Sequence, residues 1–290
     1  MKIKFKRETC INKDGNSYRI DDNNIALYVV LTRKCNVNCP FCEYHKGNVS
    51  IDLNKFAETL QWLSRQCYLT TVHITGGEPT LELEAIKQIC EIAKQEFGLC
   101  KTSINTNGTN LESLNDIEEL NNIALSRHGI TDKENQEIFK SDLVPTLKQI
   151  DKFKDKKKLH LSCNLIKGHV DSEEKIQQYL ENASTIGIND IGLVSLMSIN
   201  DYCNDHFIDF NNIDLLRINN IVKTRCFKNI SDETGEICCM CENYLYQASN
   251  LNIISVYHRY AIKNNDIADY LVYENNELKQ GFNGNVIELF

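Results

Sequence analysis

From Ile25 onward, continuously apolar, β-branched stretches alternate with amphipathic stretches of helical period. IALYVVLT (25–32) is apolar throughout, the pattern of a strand buried on both faces of a parallel sheet. SIDLNKFAETLQWLSRQ then predicts a helix with Asp52 as N-cap and Phe56, Leu60 and Leu63 on one stripe. The same alternation predicts strands at 70–75, 102–107, 122–128, 159–166 and 190–199. Helical pattern fills 81–97, 132–140, 144–155 and 171–184, the last with Asp171 as its cap. Six strand–helix units without hairpin signals predict one parallel sheet with right-handed crossovers. Six units are too few for a closed eight-stranded barrel. The predicted fold class is therefore α/β, a partial (β/α)6 parallel barrel.

After about Asn200 the pattern changes. Residues 207–223 read as helical. ENYLYQAS, LNIISVYHRY, ADYLVYENNELKQGF and NVIELF then read as short aromatic strands separated by turn residues such as Asn275-Asn276. The organisation predicted is an N-terminal extension (1–24), the partial barrel (25–200) and a small antiparallel, cysteine-rich C-terminal extension (201–290).

Charge and composition narrow the function. A net charge of −8 and a pI near 5.5 argue against a broad basic face for nucleic acid. The one basic run, KFKDKKK at 152–158, reads as a solvated helix end. No apolar run has membrane-spanning length, and MKIKFKRETC lacks the apolar core of a signal peptide, so a cytoplasmic location is expected. Thirteen cysteines in such a chain read as metal ligands or catalytic thiols rather than disulfides. Cys67, Cys90, Cys100 and Cys163 lie in apolar periodic segments and are expected to pack in the core.

Three other cysteines carry more information. Cys35, Cys39 and Cys42 are spaced C-x3-C-x2-C in LTRKCNVNCPFCEYH, just after the first strand. Three thiolates can hold three irons of a cubane cluster and leave the fourth without a protein ligand. Such a vacancy suits a cluster that binds something. The second strand ends in ITGGEPTL, where Gly76 and Gly77 permit close backbone approach and Glu78 offers a carboxylate to a ligand ammonium. Asn105 and Asn107 end the third strand, Ser126, Arg127 and His128 the fourth, and Asn164 the fifth. All face the carboxyl ends of parallel strands, where α/β proteins gather ligand sites.

The triad followed by GGEP at the next strand end resembles the radical S-adenosylmethionine superfamily, over roughly residues 25–200. The resemblance implies that Cys35, Cys39 and Cys42 ligate a [4Fe–4S] cluster whose open iron is chelated by S-adenosylmethionine. It implies that Phe41 lies against the adenine and that Gly76, Gly77 and Glu78 receive the methionine ammonium. Asn105 and Asn107 sit where the family often places ribose contacts. Ser126 or Arg127 is placed to hold the carboxylate, Asn164 lies on the same rim, and Val194 to Leu196 flank the adenine. The implied chemistry is one-electron cleavage of the cofactor, with the 5′-deoxyadenosyl radical abstracting hydrogen from an unactivated C–H bond. An electron donor such as flavodoxin or ferredoxin is implied as partner. Tyr44 and His45 are expected to cover the cluster.

Cys226, Cys238, Cys239 and Cys241 form a second group that looks like a degenerate SPASM or twitch auxiliary-cluster extension. Cys226, Cys238 and Cys241 are its candidate metal ligands, with Cys203 as a further one. Three readings stay open: a second iron–sulfur cluster, a thiol that returns hydrogen to a substrate radical as in radical epimerases, or a zinc or structural site. Cys239, Cys241 and His128 are the candidate catalytic groups. A metal-binding electron carrier that never cleaves the cofactor is the reading from another class, against which GGEP argues. The substrate is expected to be a peptide or a small molecule. The 24 residues before the first barrel strand read as too short for the fused leader-binding domain of some peptide-modifying relatives, so a peptide substrate is expected to need a separate recognition protein or direct binding. Tyr257, His258 and Arg259 are candidates to reach the barrel mouth, against simple strand alternation.

Overall fold

In the computed structural model the chain runs β1 (Glu8–Ile11), β2 (Ser17–Arg19), β3 (Asn24–Thr32), α1 (Leu53–Ser64), β4 (Tyr68–Gly76), α2 (Leu83–Glu96), β5 (Lys101–Thr106) and β6 (Asn122–Ser126). It continues α3 (Asp132–Phe139), α4 (Leu147–Asp151), β7 (Leu159–Leu165), α5 (Glu173–Thr185), β8 (Asp190–Ser195), α6 (Asp201–Asp205), β9 (Ile221–Ser231), β10 (Ile237–Gln247), β11 (Ile253–Ala261), β12 (Tyr270–Glu274) and β13 (Glu277–Gln280). The structure describes residues 8–11, 17–19, 24–42, 49–209, 212–231, 237–261, 270–282 and 284–289. Of these, 8–11, 17–19, 24, 227–231, 237–240 and 260–261 are described by backbone alone.

The strands form one sheet in the order β13-β12-β3-β4-β5-β6-β7-β8-β11-β10-β9-β1-β2. β3 to β8 are the expected parallel barrel strands, each paired with the next. The C-terminal strands flank this barrel on both sides. β11 pairs parallel with β8, and β12 pairs parallel with β3. Eight parallel strands thus lie side by side, and the antiparallel pairings expected of the extension lie outside them, in β9-β10-β11 and the β12–β13 hairpin. That hairpin turns at Asn275-Asn276, both at positive φ (52° and 65°), as a two-residue turn that follows strand twist requires.

Strand alternation sorts the side chains into two faces. Leu27, Val29, Val72, Ile74, Ile104, Ile123, Leu161, Leu193 and Val256 are buried against Phe56, Leu60 and Leu63 of α1, Ile86 and Ile89 of α2, and Ile176 and Leu180 of α5. Tyr244, Tyr246 and Tyr273 of the C-terminal strands belong to the same core. The opposite face, the inside of the barrel, is more polar. Its lower part is an aromatic floor, with Tyr28 stacked on His73 (4.7 Å) and edge-on to Tyr270 (5.1 Å). Cys90, Cys100 and Cys163 are buried in the core and Cys67 packs against it, as their apolar settings predict.

Several local expectations need correction. The stretch 207–223 contains no α-helix among its described residues: Asp214 caps a three-residue 3-10 turn, Leu215–Arg217, and Asn220 at φ 61° breaks the chain before β9. Ser172, not Asp171, caps α5 by accepting from Lys175 N, while Asp171 accepts from Gly168 N (2.6 Å). The helical pattern at 144–155 yields only α4, started by a Thr146–Gln149 capping box. NVIELF forms no strand beyond a single bridge from Val286 to Lys279. The segment 1–24 supplies β1 and β2, which extend the sheet beyond β9. The basic run sits at the amino end of β7, away from the rim that carries the cysteine triad. Among the described residues, no helix is long and apolar enough to cross a membrane.

Candidate active site

β3 ends at Thr32, and the triad loop follows at once. This loop is built against the end of β4. Gly77 N donates to Thr32 O (2.6 Å) and Glu78 N to Lys34 O (2.8 Å). A Cβ on Gly76 would fall 2.1 Å from Thr32 O, and one on Gly77 would fall 2.2 Å from Lys34 O. Gly76 also takes φ +139°, a conformation strained for any other residue. The two glycines therefore let the GGEP backbone lie directly on the backbone that leads into Cys35.

Glu78 departs from its expected role. It is fully buried, and its carboxylate accepts from Thr80 N (3.0 Å), Thr80 Oγ1 (2.6 Å), Thr106 Oγ1 (2.7 Å) and Asn107 N (2.7 Å). It clamps the end of β4 to the end of β5 and does not face a ligand ammonium. Asn107 is likewise spent on the loop. Its amide Nδ2 donates to Asn36 Oδ1 (3.0 Å) and approaches Cys35 Sγ (3.9 Å), and its Oδ1 accepts from Thr109 N (3.0 Å). Asn36 Nδ2 in turn donates to Thr109 Oγ1 (2.8 Å). The ribose contact expected of Asn107 is replaced by orientation of Cys35. Asn105 stays on the inner face, half-buried, in register with Ala124.

Further bonds fix the rest of the loop. Asn38 N donates to Phe139 O (3.1 Å), Asn200 Nδ2 to Pro40 O (3.2 Å), and Cys203 Sγ lies 3.5 Å from Phe41 O. Arg33 Nε donates to Glu274 Oε1 of β12 (2.9 Å). Phe41 borders a small apolar cluster of Ile138, Ile166, Leu196 and Cys203. Leu196 is thus beside Phe41, and Val194 is half-buried on the inner face. Cys203 is a buried member of this cluster.

The SRH stretch divides between faces. Ser126 is on the inner face, in register with Ser162. Arg127 is 2% exposed and turns outward, donating to Asp132 Oδ1 (2.9 Å) and Pro145 O (3.4 Å). It braces α3 and α4 and is not available to a ligand carboxylate. His128 is buried, stacked on Phe139 and edge-on to Phe41, each at 5.0 Å. Its Nδ1 accepts from Asn164 N (3.0 Å), which puts the ring hydrogen on Nε2. Burial, and then the Arg127 charge, push its pKa down to about 3. A neutral His128 braces the Phe41 wall and is no imidazolium acid at neutral pH, which corrects its candidacy as a catalytic group.

The triad fits the cluster that its spacing suggests. Burial pushes the Cys39 thiol up to about 12, and the neighbouring Cys42 and Cys35 thiols add to the rise. Among the described residues, no three such side chains surround a point that a single metal ion would fill. A cubane asks for something different, one thiolate on each of three irons. The Asn107 amide near Cys35 Sγ is the kind of outer-shell donor that steadies a cluster thiolate.

The two C-terminal cysteines whose side chains are described, Cys226 and Cys241, lie on opposite faces of the sheet. Cys226 pairs in register with Glu242, whereas Cys241 pairs with Phe227 and Arg259. Alternation sends Cys226 to the helix-covered face and Cys241 to the inside of the barrel. On the covered face Glu242 receives the Lys223 ammonium (2.5 Å) and the Tyr244 hydroxyl, and His258 lies beside it with its pKa pushed down to about 4 by burial. On the inner face Cys241 Sγ lies 3.0 Å from the Tyr257 hydroxyl. Cys226 and Cys241 therefore do not share one metal here, which corrects that ligand set. The side chains of Cys238 and Cys239, and all of Tyr44 and His45, lie outside the described residues. The sequence reading missed Asn36, Thr80, Thr106 and Thr109; the one signal for them is their adjacency to the cysteine and glycine motifs.

This chain is similar to proteins named probable GTP 3′,8-cyclase. It is 32% identical over 108 residues to that of Pyrococcus abyssi and 25% over 181 residues to that of Saccharolobus islandicus. The matches cover 36% and 59% of this chain and 33% and 56% of those proteins, so the chain spans about a third to just over half of their length. Streptococcus suis SuiB bound to S-adenosylmethionine has a similar fold, with a TM-score of 0.51 and 18% identity over 63% of this chain and 43% of that one. The family model of the radical SAM superfamily matches residues 29–183, just over half of the sequence, and the chain belongs to that superfamily.

Proposed function

We propose that this radical SAM enzyme abstracts hydrogen from a peptide or small-molecule substrate held inside the barrel, with Cys35, Cys39 and Cys42 holding the cluster. When bound, the [4Fe–4S] cluster and S-adenosylmethionine of the family supply a carbon-centred radical strong enough for an unactivated C–H bond. The observation that carries the reading is the backbone join of GGEP to the triad loop, through Gly77 N to Thr32 O and Glu78 N to Lys34 O. It makes two ligand-binding loops one rigid unit.

The chain's own residues then have defined tasks. Asn107 steadies Cys35, and the GGEP backbone, freed of side-chain bulk, is what that motif offers to the cofactor. Phe41, Ile138, Ile166 and Leu196 form a dry wall that keeps water from the reacting carbon. Ser126, Ser162, Asn164 and Val194 line the inner face where a substrate would lie. A low-potential flavodoxin or ferredoxin is the matching electron donor. A peptide substrate is supported by SuiB, a structure of which is bound to its precursor peptide SuiA. A small-molecule substrate is supported by the GTP 3′,8-cyclases.

Anaerobic reconstitution followed by dithionite and S-adenosylmethionine tests the reading. 5′-Deoxyadenosine is expected from the wild type and from none of C35A, C39A and C42A. Its absence from wild type with an intact cluster would favour an electron carrier. Iron content of about four per chain fits one cubane and about eight fits two.

A further inference from the structure

The inner face of β9, β10 and β11 continues the substrate wall past β8. Strand registers align Asn164, Val194, Arg259 and Cys241 in one transverse row. The row below it holds Ser162, Gly192, Tyr257, Asn243 and Arg225. Side-chain contacts agree with this sorting. Cys241 Sγ meets the Tyr257 hydroxyl at 3.0 Å on the inner face, whereas Lys223 meets Glu242 on the covered one. Arg225 and Arg259 therefore both belong to the inner face, and both are exposed. Among the described residues, the inner face of these three strands carries no carboxylate. The carboxylate on β8, Asp190, lies one row further down, in register with Ser255, and is paired with His160 Nδ1 at 3.1 Å. In a chain of net charge −8, two arginines on such a face make a local patch that attracts anions.

Two strands and one row separate Arg225 from Arg259, about 12 Å between their backbones. Two arginine side chains can close that gap from opposite sides. The Tyr257 hydroxyl, drawn over Cys241 on the middle strand, and the Asn243 amide stand between them. Guanidinium forks supplemented by neutral donors match the oxygens of phosphate. Two forks this far apart suit a linked di- or triphosphate better than a lone carboxylate. Arg259 stands two strands, about 10 Å, from Asn164. Asn164 bonds His128, which contacts Phe41 of the triad loop. A molecule of nucleotide size spans that interval, its sugar or base at the cofactor end and its phosphates on the C-terminal strands.

We infer that Arg225 and Arg259, with Asn243 and Tyr257, form a phosphate subsite, and that the substrate is a phosphorylated small molecule of nucleotide size. This rests on the small-molecule form of the hydrogen-abstraction reading above. The subsite holds the substrate by the end remote from the reacting carbon, and so fixes which carbon meets the radical.

Calorimetric titration of the anaerobically reconstituted protein with inorganic triphosphate tests this, since binding is read without turnover. The wild type is expected to bind at a single saturable site. R225Q and R259Q should each weaken binding about tenfold, and the double variant should abolish it with far-UV circular dichroism unchanged. Lys152→Gln with Lys154→Gln, in the exposed basic run, should leave it as in wild type. Lack of saturable binding by the wild type, equal affinity in the arginine variants, or an equal loss in the lysine variant would each overturn the subsite. Hexaglutamate is the second probe. Binding as tight as that of triphosphate, lost in the same arginine variants, would make the ligand a carboxylate-rich peptide and overturn the phosphate assignment. Triphosphate binding by a wild type that forms no 5′-deoxyadenosine would overturn the hydrogen-abstraction reading alone.

Discussion

Glu78 looks from its motif like a ligand-binding carboxylate, yet it is a fully buried acceptor for three residues' donors. Removing such an acceptor strands buried donors at about 1–3 kcal/mol each. E78A should therefore lower the stability of the cluster-free protein by several kcal/mol, read from urea unfolding. A stability equal to wild type would return the carboxylate to a ligand role. The buried histidines make a pH prediction. Burial holds His128 near pKa 3, and His73 and His258 near 4, below the ordinary value of 6.5. The unfolded chain then binds more protons than the folded one between these values, so stability falls as pH drops from about 6.5 towards 4. Each histidine contributes a slope of up to about 1.4 kcal/mol per pH unit. H128Q should flatten the fall in urea midpoint between pH 7 and 5, and a slope identical to wild type would show that His128 is protonated in the fold.

At the scale of elements, the two glycines at the end of β4 decide whether the triad loop can be held. G76A or G77A would place a methyl within about 2 Å of a carbonyl oxygen on that loop. The expected outcome is retained far-UV circular dichroism with reduced iron after reconstitution. Gly98, whose added Cβ would meet nothing within 4 Å, supplies the control, and G98A should keep its iron. This join was legible in the sequence because C-x3-C-x2-C and GGEP each act over a few residues, and strand order puts them together. The SRH stretch was less legible. It straddles the end of β6, where alternation stops, so whether Arg127 faced ligand or helices depended on Asp132 and Pro145. The C-terminal cysteines were less legible still. Their faces are set by the β9–β10 register, which slips between Ile237 and Cys239 and again between Asn243 and Tyr244. A slip of one residue exchanges the faces, and no spacing rule reports it.

At the scale of the molecule, the C-terminal strands are part of the barrel's own sheet, and pairing across such sequence distance is invisible to local pattern. β12 lies on β3 and β11 on β8, so strands after residue 250 cover both edges of a barrel that ends before residue 200. Tyr273 is fully buried and meets Phe56 of α1 edge-on at 5.1 Å. Glu274, next in β12, receives Arg33 two residues before Cys35. The C-terminal segment thus reaches both the core and the triad loop, and two consequences can be measured. Trp62, the single tryptophan, packs against the same core from α1. Its fluorescence and the far-UV circular dichroism should follow one coincident urea transition. Tyr273→Ala, which opens a large cavity in that core, should shift both signals together by about 3–5 kcal/mol. If the C-terminal strands were a separately folding lobe, the mutation would move part of the circular dichroism and leave the Trp62 transition in place. That outcome would refute the single sheet. A common shift would mean that the edge strands and the triad loop fold as one unit.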